Sequence, residues 1–486
     1  MCKILFQVKS LSMNQISYNL FLFFLFTLFA FRVSSESVVI NGTAEKYKNS
    51  EISLFIQRDY FSAKEDLLFT SMIDSNGIFM LKTNIASTKK AFLKIDNIAS
   101  TLYLEPGKSY QVNFPGVENG EEIAGNINYV KLKILNQDSK ELNFQINAFN
   151  DVYDKFIEDH YSLIIRKMAK DKINEFVVKT AKDYSNIQDA FLKNYIDYSI
   201  ASLEQLAFSS KNKLYKQYLH SKPVLHNNPE YALFFREFYL NYLLSLSEST
   251  KGSAIQGLIN TQKDYTGLMS ELKRDSLLQD EELRELVLIL GLQEIYENKE
   301  FNKKSINYLL KVISEKSEFS ENRNTARNIL YLLTQFDPGQ KAPAFALIDS
   351  DGNNVSLEQF KGKYVYLNFW ASWCNSCVQE FPIMSDLYNK YSKDIIFISV
   401  SSDKKWADFI NFTKNNNYSW KFLHYGGSKK IMDDYEARAL PAYFLISPEG
   451  YFIEAPAASP SEGIEEKFQE VIGTPKTYKK KKVGEK

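Results

Sequence analysis

The chain has 486 residues, enough for about three domains at ~150 residues each. Its 59 lysine and arginine residues balance 59 aspartate and glutamate residues, and this neutrality excludes a nucleic-acid-binding protein that relies on a strong basic excess. A chain of this length can bury large cores, so a small domain that depends on disulfides is excluded as well.

Residues 1–35 are predicted to be a signal peptide. Two lysines precede an apolar run at residues 20–31, and small residues at 33–35 offer a cleavage site. The run is twelve residues long, short of the ~20 that a membrane-spanning helix needs. Export would place the protein in the periplasm or cell envelope, with an uncleaved membrane anchor as the competing interpretation.

Residues 36–115 are predicted to form a small antiparallel β-sandwich. Short runs of β-forming residues alternate with turn residues, and these runs are 38–44, 52–56, 67–73, 78–82, 92–95, 102–104 and 110–112. Asp74-Ser75-Asn76-Gly77 between two of the runs predicts a hairpin.

Residues 116–337 are predicted to form an all-α domain. Helix formers fill spans that lack proline and glycine, and apolar residues recur at three- and four-residue spacing. Asn228-Pro229 marks a break between two helices. The aromatic stripe from Phe234 to Tyr242 is interpreted as core rather than as a ligand cage.

Residues 338–472 change to alternating strands and helices, which predicts an α/β sheet with helices on both faces. A linker at 337–343 leads into these strands and helices. A buried strand at 363–370 leads into a helix at 374–391. Six lysines in the tail, residues 473–486, predict a solvated disordered segment, with contact to acidic lipid headgroups as the alternative.

Cys374 and Cys377 are the residues most indicative of function. If Cys2 is removed with the signal peptide, these two closely spaced residues are the cysteines that remain in the mature chain. At a strand-to-helix junction the first sulfur meets free backbone N–H groups and the positive end of the helix dipole, which favour a thiolate. We therefore expect Cys374 to attack a disulfide and Cys377 to resolve the mixed disulfide.

A closely spaced cysteine pair can also bind zinc or form a purely structural disulfide. A structural zinc site needs about four ligands, and this domain has His424 as its single histidine. A purely structural disulfide would close a very short loop and add little stability through chain entropy. Both are disfavoured, so the pair is interpreted as redox-active, with no metal and no organic cofactor.

The run Trp370-Ala371-Ser372-Trp373-Cys374-Asn375-Ser376-Cys377 resembles the active site of the thioredoxin superfamily. The branch it resembles is the TlpA/ResA-like secreted thiol–disulfide oxidoreductases. Pro382, where that family kinks its active-site helix, and Leu440-Pro441, where it keeps a cis-proline, extend the resemblance. It implies a thioredoxin-like fold and a substrate-docking groove at Leu440 and Pro441.

Glu380 follows Cys377 by one helical turn. In the TlpA/ResA-like branch a glutamate at this position is buried near the thiols, so the resemblance implies that Glu380 shuttles a proton for Cys377. A surface carboxylate is the alternative. Trp373 is expected to belong to an apolar docking face beside the disulfide. The dipeptide Asn375-Ser376 departs from the family pattern. The sequence therefore does not narrow the reduction potential of the cysteine pair beyond the range of roughly −270 to −120 mV.

The resemblance extends weakly to the amino terminus, where Leu-Glu-Pro-Gly-Lys at 104–108 is similar to a β domain of unknown function that precedes thioredoxin-like domains in envelope proteins. It implies a thiol–disulfide oxidoreductase acting on protein cysteines in the bacterial cell envelope, and a reductase rather than an oxidase. A membrane thiol carrier is the expected electron donor. The main alternative is a partner-binding envelope protein whose thioredoxin-like part is a docking module. The sequence indicates neither the substrate protein nor the oligomeric state.

Overall fold

The computed structural model describes residues 35–116, 128–135, 138–207, 209–427 and 430–473. The predicted signal peptide, apart from residue 35, and the predicted basic tail, apart from residue 473, lie outside the described residues. Among the helices in these ranges, none is both long and apolar enough to cross a membrane.

The amino-terminal part contains two β sheets whose buried faces contribute to one hydrophobic core. Its strands are β1 (Glu36–Thr43), β2 (Glu51–Gln57), β3 (Glu65–Met72), β4 (Ile78–Ile85), β5 (Lys89–Ile95), β6 (Ile98–Leu104), β7 (Ser109–Asn113), β8 (Asn128–Tyr129) and β9 (Lys133–Ile134). The sheet orders are β4–β1–β7–β9 and β3–β2–β5–β6–β8. Because β8 and β9 pair within these sheets, the sheets draw on residues beyond the predicted boundary at 115. Their description as a sandwich stays a prediction.

Two predictions for this part are wrong. β1 pairs in parallel with β7 and β6 with β8, so neither sheet is purely antiparallel. The turn at Asp74–Gly77 joins β3 to β4, but these strands belong to different sheets rather than to one hairpin. Asp74 accepts hydrogen bonds from the backbone of Asn76 and Ile78, at 2.8 Å each. The hydrogen bonds of Asp74 determine that the chain reverses direction here. The strand with which β4 pairs, β1, is determined instead by the burial of alternate β4 residues.

The middle of the chain is helical, as predicted. Its helices are α1 (Leu142–Ile165), α2 (Lys170–Asp183), α3 (Ala190–Leu206), α4 (Lys211–Leu214), α5 (Pro229–Phe238), α6 (Tyr242–Ser247), α7 (Ile255–Gly257), α8 (Tyr265–Leu272), α9 (Glu281–Glu294), α10 (Lys303–Lys316) and α11 (Ser320–Thr334). The break predicted at Asn228-Pro229 is the start of α5, where the Asn228 side chain accepts a hydrogen bond from the Tyr231 backbone. Phe234 and Phe238 are fully buried, in agreement with a core role for the aromatic stripe.

The loop between β2 and β3 inserts into the core of the helical part. Phe61 is fully buried, and its ring lies 5.5 Å from those of His226 and Phe235. Asp59, at the start of the same loop, accepts a hydrogen bond from the Asn328 amide of α11 at 2.5 Å. The β sheets and the helices are therefore joined by buried side chains as well as by the chain itself.

The carboxy-terminal part is an α/β domain. Its strands are β10 (Ala346–Asp349), β11 (Asn354–Ser356), β12 (Tyr364–Trp370), β13 (Ile395–Ser401), β14 (Lys421–His424), β15 (Ala442–Ile446) and β16 (Phe452–Glu454), and its helices are α12 (Asn375–Tyr391), α13 (Trp406–Asn416), α14 (Lys430–Asp434) and α15 (Ile464–Gly473). The seven strands form one mixed sheet in the order β11–β10–β14–β13–β12–β15–β16. One core contains residues of α12, α13 and α15 and the other contains residues of α14, so helices cover both faces as predicted.

The segment that precedes this domain is attached to it. Phe336 packs its ring against those of Phe444 and Phe452, with centroids 6.3 and 5.8 Å away. The Gly339 N–H donates to the Phe452 carbonyl at 2.7 Å. The contacts of the domain therefore begin at about Phe336, slightly before the predicted boundary at 338.

Candidate active site

Cys374 and Cys377 lie where strand β12 passes into helix α12. β12 is an inner strand, parallel to β13 on one side and antiparallel to β15 on the other. Cys374 is the N-cap residue of α12, and its sulfur is bonded to that of Cys377. Cys374 is 7% exposed and Cys377 is fully buried. A substrate that approaches the helix tip would therefore meet Cys374 first.

The surroundings of the Cys374 sulfur favour negative charge. The Cys377 backbone N–H donates to this sulfur at 3.3 Å, and the Ser376 hydroxyl oxygen lies 3.4 Å from it. The first turn of α12 carries no acidic side chain. After reduction of the disulfide, the backbone N–H and the helix dipole would both stabilise a thiolate on Cys374 and lower its pKa.

Of the predicted docking residues, Trp373 directly precedes Cys374 in the chain, and Leu440 and Pro441 precede β15. Trp373 is 66% exposed, which leaves its indole available to a partner. Leu440 is partly buried and packs against the cluster that contains both cysteines. The Leu440–Pro441 peptide bond is cis. The loop that contains the cis-proline therefore shares a hydrophobic cluster with both cysteines through Leu440.

Glu380 lies one turn beyond Cys377 on α12 but is only partly buried, not buried as expected. Its carboxylate accepts hydrogen bonds from the backbone N–H and the hydroxyl of Ser461, at 2.9 and 2.5 Å. Burial raises the pKa of Tyr443, and the negative charge of Glu380 raises it further. Glu380 therefore lies near the strand that follows Pro441, anchored to the turn before α15.

His424 is engaged within the fold. Its Nε2 lies 2.7 Å from the Asp403 carbonyl oxygen, and the Gly426 N–H donates to its Nδ1 at 3.1 Å. Burial lowers the pKa of its imidazole. Within the described ranges, no group of three or more histidine, cysteine, aspartate or glutamate side chains is arranged to hold a metal ion.

Asp403 is a feature of the site that the sequence analysis missed. This buried residue follows β13, and its carboxylate accepts hydrogen bonds from Ser372, two positions before Cys374. A signal existed in the sequence, because a polar residue directly after a buried parallel strand lies at the sheet edge where functional residues gather. The residue that Asp403 binds, Ser372, could not be predicted without knowing that β12 pairs with β13.

An inner parallel strand that ends in a Cys-x-x-Cys disulfide at a helix N-terminus defines a thioredoxin-like oxidoreductase domain. The AhpC/TSA family model matches residues 338–454. The thiol-disulfide oxidoreductase ResA of Bacillus thuringiensis is 37% identical over 118 residues, which cover 24% of this chain and 67% of that protein. ResA of Bacillus subtilis is 30% identical over 135 residues, covering 28% and 75%.

A crystal structure of the thioredoxin domain of a thiol-disulfide oxidoreductase from Bacteroides vulgatus is 29% identical and covers 27% of this chain and 96% of that one, with a TM-score of 0.26. The sequence relatives show the family. The chain belongs to the TlpA/ResA-like branch of the thioredoxin superfamily. Its carboxy-terminal domain is a thiol–disulfide oxidoreductase.

Proposed function

We propose that this protein reduces disulfides of other proteins in the bacterial cell envelope with its own cysteine pair and without a metal or organic cofactor. The observation that carries the proposal is the bonded pair at the tip of α12, with a backbone N–H directed at the sulfur of Cys374. Export, by the leader predicted at residues 1–35, belongs to the same proposal. Trp373, Leu440 and Pro441 would hold the substrate segment.

The reaction proceeds by two thiol–disulfide exchanges. The Cys374 thiolate attacks one sulfur of the substrate disulfide, forms a mixed disulfide and releases the other substrate sulfur as a thiolate. The Cys377 thiol then loses its proton, to Glu380 in our proposal, and attacks the Cys374 sulfur. The second substrate thiolate leaves, and the Cys374–Cys377 disulfide remains. Two electrons and two protons from an external thiol carrier at the membrane return the pair to its reduced state.

Trapping of mixed disulfides tests this proposal. In Cys377→Ser the first exchange can occur but the second cannot, so disulfide-linked complexes with envelope proteins should accumulate. Cys374→Ser is the matched control and should accumulate far fewer, because the buried Cys377 is less accessible to a substrate. Equal trapping by both variants would contradict the assignment of the nucleophile.

The direction of electron flow is tested by the redox state of the wild-type pair in cells. A mostly dithiol state supports a reductase, and a mostly disulfide state supports an oxidase. If neither the wild type nor Cys374→Ser turns over insulin, while the full chain still captures partners without a disulfide, the protein would be a partner-binding protein instead.

A further inference from the structure

Asp403 is a buried acidic residue that takes no direct part in the two thiol–disulfide exchanges described above. The residue is 1% exposed and lies just beyond the end of β13, beside the strand that leads to Cys374. A carboxylate this deep in a protein is costly unless donors surround its oxygens. Ser372 and Ser401 both donate hydrogen bonds to its carboxylate.

Most of these donors belong to Ser372. Its backbone N–H donates to both carboxylate oxygens of Asp403, at 3.0 and 3.1 Å, and its hydroxyl donates at 2.8 Å. The Ser401 hydroxyl donates to the carboxylate at 2.6 Å, and the Asp403 backbone N–H donates back to that hydroxyl at 3.0 Å. Main chain and side chain of Ser372 are thus held together by one buried group.

Ser372 lies within the turn that presents the nucleophile. The Cys374 N–H donates to the Ala371 carbonyl at 3.0 Å, which closes the turn around Ser372. The Ser402 N–H, next to Asp403, donates to the Trp370 carbonyl at 2.8 Å. The segment after β13 therefore binds the residues before Cys374 at two successive points. A turn held in this way has little freedom to move Cys374 away from the tip of α12.

We infer that Asp403 is a positioning residue for the thiol chemistry, acting through Ser372 to keep the Cys374 sulfur where the Cys377 N–H reaches it. This inference rests on the proposed function, which makes Cys374 the nucleophile. A loosened turn would weaken that hydrogen bond and the influence of the helix dipole, so the thiolate would be less favoured. A group that only stabilised the fold would leave the acidity of Cys374 unchanged.

The test measures the pH dependence of iodoacetamide alkylation of Cys374 in the reduced full chain, followed by peptide mass spectrometry. Asp403→Ala should raise the pKa of Cys374 and slow alkylation at pH 7 about tenfold. Asp403→Asn should not slow it, because the amide oxygen still accepts from Ser372. Asp408→Ala, which removes an exposed carboxylate of α13, is the matched control and should react like the wild type.

Two results would overturn the inference: wild-type reactivity in Asp403→Ala, or an equal loss in Asp403→Ala and Asp403→Asn. Should Asp403→Ala fail to fold, Ser372→Ala takes its place, with about threefold slower alkylation expected and no change counting against the inference. If instead wild-type Cys374 reacts no faster than free cysteine, it is the proposed function that fails. The two failures are therefore distinguishable.

Discussion

At the scale of single residues, the site depends on where α12 begins. The N-cap position places the Cys374 sulfur in line with the free N–H groups of the first turn, and the buried position one turn later belongs to Cys377. Glu380, one helical turn beyond Cys377, and His424, hydrogen-bonded to the Asp403 backbone, each give a prediction at this scale.

Glu380→Gln should slow the second exchange while leaving the fold intact. The glutamine oxygen can still accept from the Ser461 N–H and its NH2 group can donate to the Ser461 hydroxyl oxygen, but glutamine cannot take the proton of Cys377. We expect resolution of a preformed mixed disulfide to slow about tenfold or more near neutral pH, with a weaker dependence on pH. Stopped-flow tryptophan fluorescence can follow this step.

The matched control is Ser461→Ala, which removes one hydrogen bond to Glu380 and keeps the carboxylate. Its resolution rate should stay near that of the wild type. A Glu380→Gln protein that matches the wild type at every pH would exclude a role for this carboxylate in proton transfer.

His424 should make the carboxy-terminal domain sensitive to acid. Burial lowers the pKa of His424 from the usual 6.5, and protonation would set an Nδ1–H against the Gly426 N–H. The unfolded chain therefore binds more protons than the folded one as the pH falls below 6.5. The stability of the neutral form is fully present above that pH and is lost below it, at about 1.4 kcal/mol for each unit of pKa difference.

Urea unfolding at pH 7.5, 6.5 and 5.5 checks this expectation. Tryptophan fluorescence reports on this domain alone, because all the tryptophans are located there: Trp370, Trp373, Trp406 and Trp420. His424→Gln should remove much of the loss at low pH. An equally steep loss in His424→Gln would assign the sensitivity to other groups.

At the scale of elements, burial rather than local chemistry decides how strands and loops are arranged. The β2–β3 loop illustrates this, because a surface connection would leave its aromatic residues in water. Instead Phe61 fills a space between α5 and His226. The loop thereby contributes to the core of a part of the chain that begins about 80 residues later.

Phe61→Ala should destabilise the amino-terminal two-thirds of the chain by about 3–5 kcal/mol, as expected for a large buried aromatic side chain. Urea unfolding followed by far-UV circular dichroism reports on the whole chain, and its transition should shift, whereas the tryptophan-reported transition of the carboxy-terminal domain should not move. Phe69→Ala is the control, since Phe69 is 40% exposed on β3 and should cost under about 1 kcal/mol. Equal shifts in both transitions would indicate that the whole chain unfolds as one unit.

The sequence predicted features that depend on neighbouring residues, and it did not predict features that depend on residues far apart in the chain. The thiol pair, the helix after it and the cis-proline are short motifs, and the structure contains each of them. The mixed pairing of the β sheets and the link from Asp403 to Ser372 involve residues far apart in the chain. Neither could be read from periodicity or turn residues, because strand partners are selected by the packing of the whole domain.

At the scale of the whole molecule, the chain consists of a catalytic domain and a larger amino-terminal part with separate cores. Among the residues that the structure describes, none before Phe336 belongs to the clusters around the carboxy-terminal sheet. The two parts nevertheless lie close to each other. Burial raises the pKa of Tyr425 to about 12, and the negative charge of Asp96, at the turn between β5 and β6, contributes to this rise. Separate cores predict that the catalytic domain folds without the rest of the chain.

A fragment of residues 335–473 should therefore fold and reduce insulin. A shorter fragment of residues 338–473 should have a free energy of unfolding lower by about 1–2 kcal/mol, which is the value expected when a half-buried aromatic side chain loses its contacts. The difference arises because the shorter fragment lacks Phe336, which packs against Phe444 and Phe452. Urea unfolding followed by tryptophan fluorescence measures it, and Phe336→Ala in the longer fragment should reproduce it. Insulin reduction should be alike in all three, because Phe336 packs against the opposite core from the cysteines. Equal stability of the two fragments would place the start of the domain after residue 337, and failure of both to fold would make the amino-terminal part necessary for the catalytic domain.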